Sequence, residues 1–203
     1  MRRRRHNAYE FFRGGLFVVL RVFLIFFLTP ITWAQGTDAR SIPECGKAKV
    51  HLANPQYLTT AGGIVAVELP DGWILDANRK GVFYFLKRGE NYQSARTLMY
   101  VNVEKLEGPL EGAVHRDRQS FQKNCDATEV KDLAKPALLE QGCDSRTQLF
   151  SCQRKQNPYV DLVTKISIDG LLLNVVLSAD SADEISDYRR DYDFVLGHLT
   201  VVK

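Results

Sequence analysis

The sequence predicts an α+β domain in which an antiparallel β-sheet is flanked by two main helices and preceded by an N-terminal signal helix. Three observations predict this class. Short segments with alternating apolar residues are separated by turns that contain glycine or proline. Two segments with helical periodicity interrupt these strands, one in mid-chain and one near the end. The order strands, helix, strands, helix is typical of an antiparallel sandwich rather than of alternating βαβ units.

The first 34 residues predict a secretory signal peptide. A run of arginines at positions 2–5 precedes the apolar stretch Gly14–Ala34, and positive charge before an apolar helix keeps its N-terminus in the cytoplasm. Thr32 and Ala34 place small residues where a signal peptidase requires them, which predicts cleavage after Ala34. The alternative is an uncleaved membrane anchor, which Arg21 within the apolar stretch disfavours because a charge is costly there.

Removal of the leader changes the charge of the protein. The whole chain has a formal net charge of +3 at pH 7. Residues 1–34 contain six arginines and one glutamate, a net charge of +5, so the remainder carries +3 − 5 = −2. Nucleic-acid-binding proteins need a surplus of positive charge. We therefore expect no nucleic-acid partner, and contact with a membrane only through the leader if it is uncleaved.

The rest of the chain predicts one domain behind a short linker. Residues 35–43 are polar and lack periodicity, which predicts a flexible tether. Residues 44–203 then predict a single α+β domain, because a chain of this size buries about 70% of its unfolded surface.

The first half of the domain contains the clearest turns. Apolar residues alternate over Ile64–Leu69, and this strand ends at a Pro-Asp-Gly turn. A second turn is predicted over Asp76–Gly81. The other strands predicted here are Trp73–Leu75, Val82–Leu86 and Thr97–Val103. The period then changes, and Leu110–Asn124 predicts an amphipathic helix.

The second half predicts a hairpin and a closing helix. Weaker strand signals lie at Thr128–Leu133 and Thr147–Gln153. Asp169-Gly170 predicts a tight turn between the strands Tyr159–Ile168 and Leu171–Leu177. Ser181 and Glu184 have the spacing of a capping box. The helix that follows carries one apolar stripe, formed by Ile185, Tyr188, Tyr192, Val195 and Leu199.

The stretch VELPDGW, with Pro70 to Trp73 as a turn after a strand, resembles the opening of the Mog1/PsbP-like superfamily, which includes exported bacterial proteins of the DcrB type. The similarity covers about Ile64 to Val202. It implies an antiparallel sheet flanked by helices and an accessory or binding role, with no shared catalytic residues. The four cysteines are not part of the usual pattern. A cystatin-like or lipocalin-like fold is the alternative, and the second helix disfavours a lipocalin barrel.

All four cysteines follow the leader, which favours disulfides in an exported chain. Four cysteines allow three connectivities. Cys143 and Cys152 are close in sequence and predict one bridge, which leaves Cys45 and Cys125 for the other. A redox pair or a metal site is the alternative, but the sequence has no Cys-x-x-Cys and no histidine at ligand spacing from a cysteine.

The chain shows no pattern that predicts catalytic, metal-binding or cofactor-binding residues. His51, His115 and His198 are isolated from one another. The acidic residues between positions 180 and 193 lack the glycine of an EF-hand and predict a solvated helix face. Trp73 and Tyr84 are the candidates for a ligand cleft, because Tyr84 should point away from its strand neighbours Phe83 and Phe85.

These observations predict an exported, non-enzymatic binding or accessory protein of the cell envelope, in the periplasm or outside the cell. We expect no cofactor, and a partner that is either an envelope protein or a small ligand. The alternative is a small exported hydrolase or thiol enzyme whose site is assembled from distant residues. In that case His115 or His51 would have to approach a cysteine, a serine or an acidic residue.

Overall fold

The computed structural model describes residues 40–41, 52–60, 63–79, 82–139, 144–154 and 158–202. The predicted leader, Cys45 and Cys143 lie outside these ranges. The strands are β1 (Arg40–Ser41), β2 (Gln56–Thr60), β3 (Gly63–Val67), β4 (Trp73–Arg79), β5 (Val82–Lys87), β6 (Thr97–Lys105), β7 (Ala127–Leu133), β8 (Asp144–Gln153), β9 (Tyr159–Ile168), β10 (Leu171–Ala179) and β11 (Leu199–Val202). The helices are α1 (Leu110–Asn124), α2 (Ala182–Asp187) and α3 (Arg189–Gly197), with a 3-10 turn at Ala137–Leu139. Over the described ranges, none of the helices combines the length and apolar composition needed to cross a bilayer.

The larger sheet is antiparallel and has the strand order β4-β5-β6-β10-β9-β8-β7. The predicted hairpin of β9 and β10 lies near its centre and is confirmed, with Leu171 opposite Ile168. Asp169 and Gly170 form its turn with φ of 51° and 79°. Positive φ at both central residues is the requirement of a type I′ turn, which glycine meets without strain and aspartate tolerates.

The smaller sheet joins the two ends of the described chain in the order β1-β11-β3-β2. Arg40 and Ser41 pair with β11, so part of the predicted flexible tether is a strand instead. The closing helix was expected to include Leu199, but α3 ends at Gly197 and Leu199 pairs with Val67. The β-branched residues after Leu199 favour a strand, and β3 offers them a partner edge.

Two other boundaries differ from the sequence-based expectation. The predicted turn at Asp76–Gly81 is wrong over its first part, because β4 continues to Arg79 with a bulge between Leu75 and Ala77. Backbone pairing with β5 carries the strand through these polar residues. The predicted single C-terminal helix is divided at Tyr188 into α2 and α3. The N-cap half of the predicted capping box is confirmed, since Ser181 Oγ accepts a hydrogen bond of 3.3 Å from the Glu184 amide, while the Glu184 carboxylate accepts from the Asp180 amide at 3.1 Å.

One face of the larger sheet packs against both the smaller sheet and the C-terminal helices. A single apolar cluster on this face contains Phe85 and Leu173 from the larger sheet, Val65 from β3 and Tyr192 from α3. The Tyr192 hydroxyl donates a 2.9 Å hydrogen bond to the Val175 carbonyl, which satisfies the polar end of a fully buried ring. This layer is the main core of the domain.

The opposite face of the larger sheet is covered by α1. Leu110, Ala113 and Val114 pack on Leu172 near the start of the helix. Near its end the ring of Phe121 stacks on Phe150, with centroids 4.2 Å apart. The layers of the domain are therefore α1, the larger sheet, and the smaller sheet together with α2 and α3. The predicted α+β class is confirmed in the described part of the chain.

We expect the substitution Leu173→Ala to lower the free energy of unfolding by about 2–5 kcal/mol, because it leaves a cavity at a fully buried position of the main core. Tyr57→Ala is the control, since Tyr57 is 65% exposed on β2 and its loss should change stability by about 0.5 kcal/mol or less. Urea unfolding followed by circular dichroism measures both values. Equal losses in the two variants would contradict this assignment of the core.

Candidate functional site

Trp73, the aromatic residue of the VELPDGW stretch, fastens α3 to the larger sheet. Its indole Nε1 donates a 2.7 Å hydrogen bond to Asp191 Oδ2. Lys87 Nζ contacts the same oxygen at 2.9 Å and lies 4.5 Å from the centroid of the Trp73 ring. The Tyr188 ring meets Trp73 edge-on, with centroids 5.9 Å apart. Trp73 is only 5% exposed, so its role is structural: it joins α3 to the larger sheet.

Asp191 belongs to the acidic segment that the sequence predicted to be a solvated helix face. The structure corrects this for Asp191, whose carboxylate is held by Trp73 and Lys87. Burial raises the pKa of Asp191, but the hydrogen bonds from Lys87 and Trp73 outweigh it and hold the pKa below its usual value. The charged form of Asp191 therefore stabilises the fold.

Tyr84 points to the other face of the sheet from Phe83 and Phe85, as the strand period predicts. It packs against Tyr92, with ring centroids 4.9 Å apart, and against Tyr100 at 5.7 Å. Trp73 lies on the main-core face, whereas Tyr84 lies on the α1 face. The two residues expected to line one ligand cleft are thus separated by the sheet and cannot share a cleft.

A groove runs along one flank of α1. It has a volume of about 300 Å³, and its described lining consists of Glu111, Val114, His115 and Arg118. These residues are three or four positions apart, so they lie on the same side of the helix. The His115 ring is hydrogen-bonded to the Gln119 amide at 2.9 Å. The sequence analysis above did not predict this groove, although its described lining lies on one side of a helix that the periodicity predicted.

Charged side chains connect this flank of α1 to the outer strands of the larger sheet. Arg118 Nη2 donates a 2.5 Å hydrogen bond to Asp132 Oδ1 on β7, and Gln148 Nε2 donates to the same oxygen at 2.7 Å. These contacts, the Arg118 bond first, lower the pKa of Asp132. Nearer the start of the helix, Arg146 on β8 forms an ion pair with Glu111.

A lysine lies buried beneath the middle of α1. Lys165 on β9 is 3% exposed, and its Nζ is 2.5 Å from Asp117 Oδ2 on α1. The same nitrogen donates to Asn174 Oδ1 on β10 at 2.5 Å. Asn174 Nδ2 in turn donates to Glu104 Oε1 on β6 at 3.2 Å. The four side chains form one hydrogen-bonded line from the helix across three strands, which the sequence analysis missed because they are widely separated in the chain.

A disulfide joins the end of α1 to β8. Cys125 and Cys152 are bonded, with their Cα atoms 5.5 Å apart. The predicted pairing of Cys143 with Cys152 and of Cys45 with Cys125 is therefore wrong. Closeness in sequence suggested Cys143 as the partner of Cys152, but separation along the chain does not decide which residues the fold brings together. The pairing of β7 with β8 instead brings the end of α1, and with it Cys125, beside Cys152.

The described polar groups mostly bond one another or the backbone. His198 Nδ1 lies 2.9 Å from the Phe194 carbonyl, so each of the two described histidines contacts an amide or a carbonyl group. Among the described residues, no three histidine, cysteine or acidic side chains converge in a way that could hold a metal ion. What the arrangement offers is charge and hydrogen bonding at the surface between α1 and the sheet.

Several solved structures of other proteins are similar to this chain in topology. No protein-family model matches the chain, and no curated protein sequence matches it. Solved structures that match include PsbP of the cyanobacterium Synechocystis sp. PCC 6803, with 16% identity over 78% of this chain and 99% of that chain and a TM-score of 0.49. The Ran-binding protein Mog1p of Saccharomyces cerevisiae matches with 12% identity over 74% and 96% of the two chains and a TM-score of 0.48.

LpqN of Mycobacterium tuberculosis, described as involved in cell envelope biogenesis, matches with 12% identity over 68% of this chain and 83% of that chain, and a TM-score of 0.48. The predicted resemblance to Mog1/PsbP-like proteins is confirmed at the level of topology and no finer. Nothing about activity, partner or cellular location follows from similarity this distant.

We expect Cys125→Ala/Cys152→Ala to lower the free energy of unfolding by about 3.5 kcal/mol, since the bridge closes a loop with a sequence separation of 27. Each single alanine variant should lose nearly as much as the double variant, because either substitution removes the whole bridge. Urea unfolding of the three variants in oxidising buffer is the measurement. Losses that simply add would show that the two cysteines act independently.

Acid should remove the contribution of the Asp191 carboxylate to the stability of the fold. A carboxylate whose folded pKa lies below its unfolded value stabilises the protein above the unfolded pKa, and the effect is lost as the pH falls through the folded pKa. Asp191→Asn should therefore be less stable than the wild type at pH 7, and the difference should shrink as the pH falls below the ordinary aspartate pKa of 3.8. Unfolding midpoints at pH 7 and pH 3 measure it. The control Asp187→Asn changes an exposed residue of α2, and a matching pH-dependent loss there would refute the assignment.

Proposed function

We propose that this protein is an exported accessory protein of the cell envelope that acts by binding an envelope protein or a small ligand, without catalysis and without a cofactor. The observation that carries the proposal is the Cys125–Cys152 disulfide in a chain whose sequence begins with an export-type leader. Structural disulfides persist in oxidising compartments outside the cytoplasm. The bridge and the leader are independent features, and both support the same location.

The surface between α1 and the larger sheet supports a binding role. Ion pairs and hydrogen bonds line it, and a groove of about 300 Å³ opens along the helix. Its charged groups Glu111, Arg118 and Lys165 have partners of opposite charge, and His115 is hydrogen-bonded to the neutral Gln119 amide. We propose the α1 flank, rather than Trp73 and Tyr84, as the place where a partner binds.

The alternative function, a small hydrolase or thiol enzyme, makes a different prediction for the cysteines. Cys125 and Cys152 are bonded to each other, which leaves Cys45 and Cys143 for any reactive thiol. In an oxidising compartment we propose that these two form the second bridge, because one connectivity is left once the first pair is known. Titration of free thiols in the folded protein tests the thiol-enzyme part of this alternative, since a thiol enzyme retains at least one free thiol.

The exported protein should begin at Gln35, after cleavage behind Ala34. The substitution Ala34→Phe places a large residue at the position where signal peptidase needs a small one, so this variant should keep its leader. Mass spectrometry of the protein recovered from the envelope fraction, without reduction, gives both the N-terminus and the disulfide-linked peptides. Gln35→Ala, which changes the residue after the cleavage point, is the matched control and should still be processed.

Recovery of the wild type with residues 1–34 intact in the membrane would establish the anchor alternative in place of a signal peptide. Recovery from the cytoplasm with reduced cysteines would overturn the proposed export altogether.

A binding partner can be sought by cross-linking in the envelope fraction. The wild type is compared with Arg118→Ala, because loss of one groove residue should reduce capture of a partner that uses the α1 flank.

A further inference from the structure

The buried charge of Lys165 is an unusual component of the layer between α1 and the sheet. Its ammonium group contacts Asp117 and Asn174, and the residue is only 3% exposed. The ammonium group is enclosed, whereas the Asp117 side chain is 37% exposed. Replacing a buried ion pair with well-packed apolar residues is often neutral or stabilising, because desolvation offsets the attraction. The enclosed Lys165 therefore needs its polar contacts to offset the cost of desolvation.

Two basic residues of the sheet, Lys165 and Arg146, each have an acidic partner on α1, and Arg146 also contacts Asp144 of its own strand. Lys165 and Arg146 are directly opposite each other on the neighbouring strands β9 and β8, so their side chains lie on one face. Asp117 of α1 contacts Lys165, and Glu111 of α1 contacts Arg146. Two carboxylates of α1 thus contact two cationic side chains that lie on the same face of the sheet.

α1 is attached to the sheet by apolar contacts near its two ends and by ion pairs between them. The apolar contacts are those of Leu110–Val114 and Phe121, and the ion pairs are those of Asp117 with Lys165 and of Arg118 with Asp132. The Cys125–Cys152 bridge tethers the C-terminal end of α1. Gly108, with φ of 81°, precedes the N-terminal end. The partly exposed Asp117 carboxylate is the side of the Lys165 pair that solvent reaches.

We propose that Lys165 and Asn174 form a carboxylate-binding site that Asp117 occupies in this structure, so that an external carboxylate competes with the helix for the site. A carboxylate fits because it accepts from the Lys165 ammonium as Asp117 does, and the adjacent Arg146 adds a second cationic donor. This inference rests on the proposed binding function and deepens it by naming the chemistry of the ligand.

The test is rescue of Asp117→Ala by acetate. This variant leaves Lys165 buried without its carboxylate and should be strongly destabilised. Acetate should restore stability at constant ionic strength, with chloride as the reference anion. Once acetate is at ten times its Kd, the folded-to-unfolded ratio should rise about tenfold. The wild type should respond at least tenfold more weakly, because Asp117 already fills the site.

Two further variants act as controls. Lys165→Met/Asp117→Ala lacks the ammonium group and should fold with no specific response to acetate. Asp132→Ala removes a carboxylate from the exposed Arg118 pair and should show no rescue either. If Asp117→Ala fails to fold in chloride, Asp117→Asn, which keeps the shape of the side chain, is titrated in the same way.

An acetate effect on Asp117→Ala no larger than that on the double variant would overturn the carboxylate site. So would failure of both Asp117 variants to fold at any acetate concentration. Either result would leave the export and disulfide measurements unaffected, so failure of this inference is distinguishable from failure of the proposed function.

Discussion

The β9–β10 hairpin is the constraint on which the rest of the domain depends. A two-residue turn with positive φ at Asp169 and Gly170 fixes how the two strands pair. β10 then pairs with β6 on one side, and β9 pairs with β8 on the other. Because a slip of one residue would reverse every side chain, this turn determines which residues enter the main core and which face α1.

The two faces of the larger sheet differ in chemistry as a consequence. Alternate residues of β10, among them Leu173 and Val175, enter the apolar layer shared with the smaller sheet and the C-terminal helices. Between them lies Asn174, on the face where α1 packs, beside Lys165 of β9. The main core supplies stability through burial, so the α1 face can carry charges that contribute little to it.

This division connects the fold to the proposed function. α1 is tied at one end by a disulfide and bonded in its middle to Lys165, and it packs on the face of the sheet opposite the main core. The anchoring of Trp73 by Asp191 lies in the other layer, where it joins α3 to β4 and β5. The residues with the strongest sequence signal thus support the scaffold, and the candidate binding surface lies elsewhere.

Local sequence determined the features that depend on neighbouring residues. The alternation in Val82–Leu86, the Asp169-Gly170 turn, the capping box at Ser181 and the span of α1 were all predictable, because strand period, turn geometry and capping act over a few positions. The location of Tyr84 opposite its strand neighbours followed from the same period. Features that needed a distant partner were missed, as with β11, whose pairing edge on β3 lies far earlier in the chain.

The sequence by itself determined the α+β class, whereas the export-type leader that it predicts lies outside the described residues and stays a prediction. Only the tertiary structure decided that Cys125 pairs with Cys152, that Trp73 and Tyr84 lie on opposite faces of the sheet, and that Lys165 is enclosed beneath α1. The physical reason is that periodicity assigns a residue to a face of its own element. Which element covers that face is set by packing between segments far apart in the chain.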